Sequence, residues 1–465
     1  MKTVKTAKLK ITSHTKTFDD TIGIYRDALS FTLQVVHEEW QDIGSLSAKN
    51  RINAVENLIH HTKSRPVIKY PDFNIRFYKF PSYLRRSVIS EAVGIVSSHM
   101  SRLEKWKQEK EKINEKNLIR KQEGKKLLSF KKKPPQLQLN PISFPVFYKP
   151  VMFNKINDGS ARIKIYKNND WVWIDIKYQT KNLLSSNNYR FTGYKEQNPK
   201  IVKKGSKYFL HIPYEKNVSL SKKEPDIVVG VDLGLNKTAV CSAVNSKGTV
   251  TARLFINQPV EKDRMKKTVN KLAKATRCSG INTQKPSYWR RINNLQKEIV
   301  QKTVDEIIDF AVKNNADVIV FEHLGKMKLP KGIYGAKRLR AKIQFWAKCK
   351  IQKKVELKAH NFGIRFSRIL ANGTSKYAFD GSGEVSRNGK KEIAKFATGK
   401  QYHADLSASY NIGARYFIRK ILKPLPEMAR SLFQAKVPEL KDRTRHTLAT
   451  LTSLIRCCED CYSVA

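Results

Sequence analysis

The sequence predicts an α/β fold class with an additional β-barrel and a helical insertion. Apolar residues alternate with a period of two over residues 2–14 and again over about 136–224, whereas over 18–63 and from Ser82 to beyond Trp106 they recur at helical spacing. From residue 226 to about 420, apolar strands alternate with amphipathic helical segments, which is typical of an α/β domain. Because the two period-two segments flank the helical one, we expect them to form one β unit into which the helices are inserted.

The charge of the chain favours a nucleic-acid partner. Its 465 residues carry 90 Lys and Arg against 40 Asp and Glu, a formal net charge of +50. A surplus of that size repels itself unless a polyanion neutralises it, and phosphate backbones do so with release of counterions. A ribosomal or membrane-surface protein would share this composition. No apolar run is long enough to span a bilayer and the first residues lack the core of a signal peptide, so we expect a cytoplasmic protein without a membrane partner.

The helical segment ends in a lysine-rich run. Helices are expected within residues 18–63 and from Ser82 to beyond Trp106. Between residues 105 and 133, lysines outnumber the interspersed glutamates. Most such runs are solvated helix faces with i,i+4 ion pairs, but in so basic a chain we favour phosphate contact. The predicted nucleic-acid contacts are Arg85, Arg86, Lys131, Lys132 and Lys133.

The α/β half begins with a buried strand that carries an acid. Residues 227–232 are apolar up to Asp232, and two further strands, a basic helical stretch and a long amphipathic helix follow. The next apolar strand ends in Glu322, and after another helix and strand Asp405 opens a final helix. Each acid could have a bland explanation, such as a surface strand end or a helix N-terminus. Their shared setting favours a common site.

The order of these elements predicts a ribonuclease-H-like fold. In that fold the first and fourth strands are neighbours, so Asp232 and Glu322 would be adjacent and Asp405 would approach from the helix packed over them. Carboxylates on rigid elements suit Mg²⁺ or Mn²⁺, whereas histidine or thiolate would favour softer metals. Such ions can support hydrolysis of a phosphodiester. We therefore predict Asp232, Glu322 and Asp405 as metal ligands and catalytic acids.

Three segments resemble the RuvC motifs of TnpB proteins, which are transposon-encoded RNA-guided DNA nucleases related to the compact type V CRISPR effectors. They are 230–234 (Gly-Val-Asp-Leu-Gly), 320–324 (Val-Phe-Glu-His-Leu) and 404–412 (Ala-Asp-Leu-Ser-Ala-Ser-Tyr-Asn-Ile). The resemblance is strong over 226–420 and mainly architectural before that. It implies that the three acids bind the catalytic metal, with Asn411 and Arg415 in support.

The resemblance also implies a domain order. Residues 1–17 and 134–225 would form a wedge β-barrel, and 18–133 an inserted helical recognition domain. Residues 226–420 would form the RuvC nuclease domain, and 421–465 a basic C-terminal tail. A prokaryotic protein of this kind would be cytoplasmic and associated with the nucleoid when bound to DNA.

One departure from the family concerns zinc. Members usually carry a four-cysteine zinc ribbon before the third motif, but the corresponding loop at about 371–400 contains no cysteine. A tetrahedral zinc site cannot be built from its side chains, so we expect no structural zinc there. Cys458 and Cys461 form one C-x-x-C half-site in the tail, which alone is a weak metal signal.

The resemblance implies an RNA-guided DNA endonuclease with a guide RNA and a double-stranded target DNA as partners. Base pairing would supply specificity, and the protein would read a short motif beside the target. Two alternatives remain open from the sequence: an RNA-guided repressor that binds without cutting, and a guide-independent RuvC-type nuclease or transposase. Loss of an acid would favour the repressor, but all three are present.

Overall fold

The chain folds into two compact units, residues 2–216 and residues 217–465 together with Met1. The structure, a computed structural model, describes residues 1–13, 17–180, 191–220, 223–234, 237–279, 285–324, 347–387 and 392–463, with side chains up to residue 460. No helix in these ranges is long and apolar enough to cross a membrane.

The first unit contains a helical group between its β-strands. Its helices are α1 (Phe18–Glu38), α2 (Trp40–Ile43), α3 (Ala48–Ile59), α4 (Asp72–Arg76) and α5 (Ser82–Gln122). Its strands are β1 (Lys2–Lys10), β2 (Phe153–Asn157), β3 (Ser160–Lys167), β4 (Asp170–Lys177), β5 (Lys195–Glu196), β6 (Lys200–Lys204) and β7 (Lys207–Asn217). The predicted change of period from strand to helix and back is observed.

The strands of the first unit form two open sheets. One has the order β1-β7-β5 with β6 also paired to β7, and the other has the order β2-β3-β4. The two sheets are linked where their strands end. Ile11, just after β1, forms a bridge with Tyr178, just after β4. The amide of Ile11 also donates to the carbonyl of Tyr208 on β7 at 2.9 Å. The closed barrel expected from the sequence is not observed among the described residues. Strand count and alternation cannot specify closure, which depends on register and tilt.

The lysine-rich run is only partly helical. Helix α5 ends at Gln122, and the following segment folds back along it. The indole Nε1 of Trp106 donates to the carbonyl of Lys132 at 3.0 Å, and the side chain of Asn117 pairs with the backbone of Leu128 at 2.8 and 2.9 Å. Both contacts lie outside the helix ladder, so they, and not helix propensity, place residues 128–132.

A five-stranded sheet organises the second unit. Its strands are β8 (Ile227–Asp232), β9 (Ala239–Asn245), β10 (Val250–Ile256), β11 (Val318–Glu322) and β12 (Arg365–Ile369), in the order β10-β9-β8-β11-β12. Strands β8 to β10 are an antiparallel meander, whereas β8, β11 and β12 run parallel. The predicted adjacency of the first and fourth strands of this unit is confirmed.

Helices cover both faces of this sheet. They are α6 (Pro259–Ser279), α7 (Pro286–Lys313), α8 (Lys348–Asn361), α9 (Ala404–Leu422), α10 (Glu427–Lys436) and α11 (Leu448–Ser463), with a short hairpin of β13 (Ile393–Lys395) and β14 (Gln401–His403) before α9. Val229 and Val231 pack with α7 and α8, while Val228 packs with α9 and α11. Each buried valine contributes about 1.5–3 kcal/mol, which explains why an unbroken apolar strand forms the centre.

The segment beyond residue 420 is part of this core and not a loose tail. Leu451 and Leu454 of α11 are fully buried against the sheet, together with Val437 and Leu440. The net positive charge of this segment suggested an exposed tail. Its apolar residues nevertheless recur at helical spacing and cover one face of the sheet.

Two glycines allow α9 to lie directly against the sheet. A Cβ added at Gly230 would overlap the carbonyl oxygen of Ser409 and lie 2.8 Å from the amide nitrogen of Gly413. One added at Gly413 would lie 2.8 Å from Cγ2 of Val244. Backbone cannot move aside as a flexible side chain can, so these positions set the distance between α9 and β8.

We expect Gly230→Ala to lower the free energy of unfolding by about 2 kcal/mol or more, because overpacking against backbone is costly. Gly94→Ala is the matched control: Gly94 lies within α5 with open space around it, so alanine there should stabilise by roughly 0.5–1 kcal/mol. Chemical denaturation of the unaltered protein and of the two variants measures both changes in the free energy of unfolding. Equal stability of Gly230→Ala and the unaltered protein would contradict the packing described for α9.

Candidate active site

The three predicted acids lie at one end of the parallel strands. Asp232 ends β8 and Glu322 ends β11, and the register that pairs Val231 with Phe321 places these acids next in line on adjacent strands. Asp405 lies in the first turn of α9. A Cβ on Gly234, just after β8, would lie 3.4 Å from Oδ2 of Asp405, which brings that carboxylate to the same strand end.

Burial dominates the electrostatics of the three acids, and nearby positive charges offset its effect only in part. Burial, followed by the charges of Glu322 and Asp405, raises the pKa of Asp232 well above its usual range. Burial is also the main cause that raises the pKa of Glu322 and of Asp405. Desolvated carboxylates that repel each other are costly unless a cation joins them.

The donor set fits a hard divalent cation. Carboxylate oxygens are the ligands that Mg²⁺ and Mn²⁺ prefer, and the mutual repulsion of the acids would be relieved by such an ion. Within the described ranges, however, no three His, Cys, Asp or Glu side chains converge closely enough to hold a metal ion as they stand. The residues therefore fit the ion in type and charge, and the side chains are not arranged as a finished coordination shell.

Glu322 is oriented by a residue that sequence reasoning missed. The hydroxyl of Thr374 donates a hydrogen bond to Oε1 of Glu322 and also lies 2.9 Å from the carbonyl of Ala371. This bond and the charge of Arg415 lower the pKa of Glu322, against the larger effect of burial. Thr374 is 1% exposed, so its hydroxyl is fixed by its surroundings. The Asn-Gly pair just before it, directly after a strand end, was the available signal.

Asn411 fixes the loop that carries Thr374. The side-chain amide of this fully buried residue donates to the carbonyls of Thr374 and Tyr377, both at 3.0 Å. Its Oδ1 accepts from the backbone amide of Leu448 at 3.1 Å. One side chain on α9 thus joins the Thr374 loop to the start of α11.

Arg415 fixes the same loop one turn further along α9. Its guanidinium donates to the carbonyls of Leu370 at 2.9 Å and Asn372 at 2.7 Å, and to those of Thr444 at 2.6 Å and His446 at 2.9 Å. Burial lowers the pKa of Arg415 to about 10, so it is still charged at neutral pH. The support predicted for Asn411 and Arg415 takes the form of a clamp between the 370–377 loop and the C-terminal segment.

Positive charge approaches the acids from the loop before β13. The charge of Arg387 lowers the pKa of both Asp232 and Asp405 against the effect of burial. Its guanidinium donates to the carbonyl of Ser375 at 2.8 Å. The charge of His403 also lowers the pKa of Asp405, ahead of that of Arg387. His403 is half-buried against Phe255, whereas His323 is exposed.

The cysteine-free loop is held by apolar contacts. Ala378, Ala394 and Phe396 are buried together with Ala404 at the start of α9. Phe379, Val385 and Tyr402 pack against this cluster. The hydroxyls of Tyr402 and Tyr410 lie 2.8 Å apart and tie the β13–β14 hairpin to α9. The tail half-site falls partly outside the described side chains, because that of Cys461 is not described.

The predicted nucleic-acid contacts differ in accessibility. Arg85 is 8% exposed and pairs with Glu56 at 3.2 Å, which leaves little of its guanidinium for a phosphate. The helical spacing could not reveal that this face of α5 packs on α3. Arg86, also 3.3 Å from Glu56, is largely exposed. Lys131, Lys132 and Lys133 are exposed, with Lys132 paired to Glu109.

The chain is similar in sequence to several known proteins. The model of the Aq_aa04 family matches residues 4–167. The TnpB-like protein aq_aa05 of Aquifex aeolicus (strain VF5) is 26% identical over 240 residues, which cover 47% of this chain and 78% of that protein. The CRISPR-associated endodeoxyribonuclease Cas12f1 of an uncultured archaeon is 26% identical over 193 residues, which cover 38% of this chain and 35% of that protein.

This chain is a relative of TnpB-like proteins and of Cas12f1. The relationship predicted from the three motifs is thereby confirmed. The structure of the mini-RNA-guided endonuclease CRISPR-Cas_phi3 is similar with a TM-score of 0.52 at 12% identity, over 88% of this chain and 92% of that one. At that identity the likeness concerns the fold alone.

We expect Thr374→Val to weaken divalent-cation binding at these acids by about 10–100-fold, because groups that orient a ligand affect metal affinity on that scale. Thr374→Ser retains the hydroxyl and should stay near the unaltered protein. Titration of each protein with Mn²⁺ measures the difference. Equal affinity of the valine and serine variants would remove Thr374 from the site.

Proposed function

We propose that this protein is an RNA-guided DNA endonuclease that hydrolyses phosphodiester bonds of target DNA at a single site. The observation that supports the proposal is the location of Asp232, Glu322 and Asp405 near one end of the β8–β11 strand pair. A formal net charge of +50 supports a polyanionic substrate. The Cas12f1 relative is named an endodeoxyribonuclease, which supports the same reaction class.

In this proposal the chain's own residues prepare the site. Asp232, Glu322 and Asp405 would hold Mg²⁺ or Mn²⁺, which when bound supplies charge neutralisation at the phosphate and a more acidic water. Thr374 keeps the Glu322 carboxylate in one orientation, and Arg415 and Asn411 hold the loop that carries Thr374. Arg387 adds positive charge on the side of Asp232 and Asp405, where a phosphate would enter.

The first unit would hold the guide RNA. We infer that its strands correspond to a wedge and its helices to a recognition domain, with domain limits near residues 17, 133 and 225. A guide–target heteroduplex would be bound through backbone and shape, and the protein would read a short motif beside the target. Arg86, Lys131, Lys132 and Lys133 are the accessible members of the contact set predicted from the sequence.

Cleavage of a plasmid library tests the proposal. The library carries one fixed target beside a randomised flank, and the protein is co-expressed with RNA from its own genomic locus. Mg²⁺-dependent cutting beside particular flanks, lost when the guide is exchanged, is the expected result. Guide-dependent binding without cutting would replace the proposal with a repressor, and cutting that ignores the guide would leave a guide-independent nuclease.

A further inference from the structure

A helical hairpin in the second unit contains a long basic stretch that no acid interrupts. Helices α6 and α7 pack on each other. Thr268 and Leu272 of α6 are buried, as are Ile292 and Leu295 of α7. From residue 264 to residue 297 the sequence contains no Asp or Glu. We call this stretch the basic arm; its cations are Arg264, Lys266, Lys267, Lys271, Lys274, Arg277, Lys285, Arg290, Arg291 and Lys297.

The cations of the basic arm face solvent. All of them are exposed except Lys285, which is half-buried. In the described part of the chain none of the exposed ones forms an ion pair within 4.0 Å. Lysines and arginines that are close together on a helix repel each other because all are positively charged. This arrangement lowers the stability of the folded protein unless an anionic ligand neutralises the charge.

Lysines of the same unit outside the basic arm form ion pairs. Lys302 of α7 pairs with Glu261 and lies 3.4 Å from Glu298, and Lys358 of α8 pairs with Asp305 of α7. Acids thus accompany these two lysines and are missing between residues 264 and 297. The charge of the arm is therefore a local feature and not a consequence of the overall composition.

The spacing of the arm's charges follows the helices. Arg264, Lys267, Lys271 and Lys274 recur at three or four residues, which places neighbouring side chains about 5–6 Å apart along one stripe of α6. Between the two helices, a groove of about 370 Å³ is lined by Arg264 on α6 and by Arg290, Arg291 and Asn294 on α7. Glu298 also lines this groove, so three cations face one acid there. A stripe beside a groove fits an extended polyanion better than a single small anion.

We propose that the basic arm binds the phosphodiester backbone of a nucleic acid. Backbone phosphates repeat along a strand and need no particular base, which matches a stripe of flexible lysines. An anionic membrane surface fits less well, because membrane-surface helices also need an apolar face. Between residues 264 and 297 the one large apolar side chain that is well exposed is Trp289, among the residues described.

The inference rests on the proposed function for its biological meaning, but backbone binding can be measured without guide or cleavage. The probes are a DNA duplex, an RNA–DNA hybrid and a single-stranded RNA, each about 30 nucleotides long and of arbitrary sequence. Affinity is measured between roughly 50 and 200 mM salt for the full-length protein. The probe that responds tells which nucleic acid the arm engages.

The decisive variant is Lys267→Gln with Lys271→Gln and Lys274→Gln. The magnitude of the negative slope of log affinity against log salt should decrease by about 2–3 for at least one probe, since each lost phosphate contact removes about 0.7–0.9. The matched control carries Lys247→Gln, Lys353→Gln and Lys423→Gln, which are exposed in the same unit outside the arm and should leave the slope unchanged. Equal slopes for the two triple variants would overturn the proposal.

A second variant guards against a folding defect in α6. Arg290→Gln with Arg291→Gln changes the other helix and should lower the slope by about 1–2. If neither helix affects the slope, the arm does not bind nucleic acid. If both do and no guided cleavage is found in the plasmid assay, the proposed function fails while the arm remains a nucleic-acid-binding surface.

Discussion

Asp232→Asn is expected to lower the rate of guided cleavage by roughly three orders of magnitude or more, in the range seen when a catalytic group is removed. Asparagine keeps the shape of the side chain but loses a negative charge at the centre of the site. Guide-dependent binding of target DNA should persist, because Asp232 lies at a strand end within the second unit's own core. Rates under single-turnover conditions, with binding measured in parallel, separate the two effects.

The same substitution should stabilise the metal-free protein. Burial and two neighbouring acids raise the pKa of Asp232, so its ionised form costs free energy in the folded state. Removing that charge is expected to add about 1 kcal/mol or more, or about 2–4 °C in melting temperature, when a chelator is present. Asp226→Asn changes an exposed acid just before the same strand and should leave both cleavage and melting near the original values. A destabilised Asp232→Asn would contradict the electrostatic account.

Arg415→Met should disrupt both stability and cleavage. The substitution leaves the carbonyls of Leu370, Asn372, Thr444 and His446 without their buried donor. Unsatisfied buried acceptors cost about 1–3 kcal/mol each, partly relieved by relaxation, so we expect a loss of about 3–5 kcal/mol and a melting temperature roughly 10 °C lower. Cleavage should fall further than the folded fraction does, because the Thr374 loop loses its anchor.

Arg419→Met provides the comparison for this experiment. Arg419 lies one turn along α9 and donates to the carbonyl of Arg368 and to the hydroxyl of Ser367, both at exposed positions. Its removal should cost less than about 1 kcal/mol, since water replaces the lost contacts. If Arg415→Met and Arg419→Met had the same melting temperature and the same cleavage rate, the contacts of Arg415 with the 370–377 loop would have no special role.

The α/β half could be predicted from sequence because its signals are local and strong. An apolar run that contains one acid predicts β8, and the order of the elements predicts that β11 lies beside it. The sequence alone therefore predicts that Asp232 and Glu322 lie on adjacent strands. The first helical turn after a strand identified Asp405 in the same way. Each inference used a period or an order, which the sequence carries directly.

What could not be predicted depends on contacts between distant segments. Thr374 follows a strand by a few residues, but its bond to Glu322 exists because α9 and residues 444–448 hold the loop. The burial of Arg85 depends on Glu56 of a different helix. Closure of the first unit's strands into a barrel depends on register, and the burial of α11 depends on its contact with the sheet and with α9. None of these features has a periodic signature.

The central claim is that Asp232, Glu322 and Asp405 hold a divalent cation together. Titration of the protein, free of nucleic acid, with Mn²⁺ while the free ion is followed by electron paramagnetic resonance tests it most directly. We expect the unaltered protein to bind Mn²⁺ in competition with Mg²⁺, and Asp232→Asn to bind it at least about tenfold more weakly while Asp226→Asn does not. Equal binding by all three proteins would contradict the assignment of these acids.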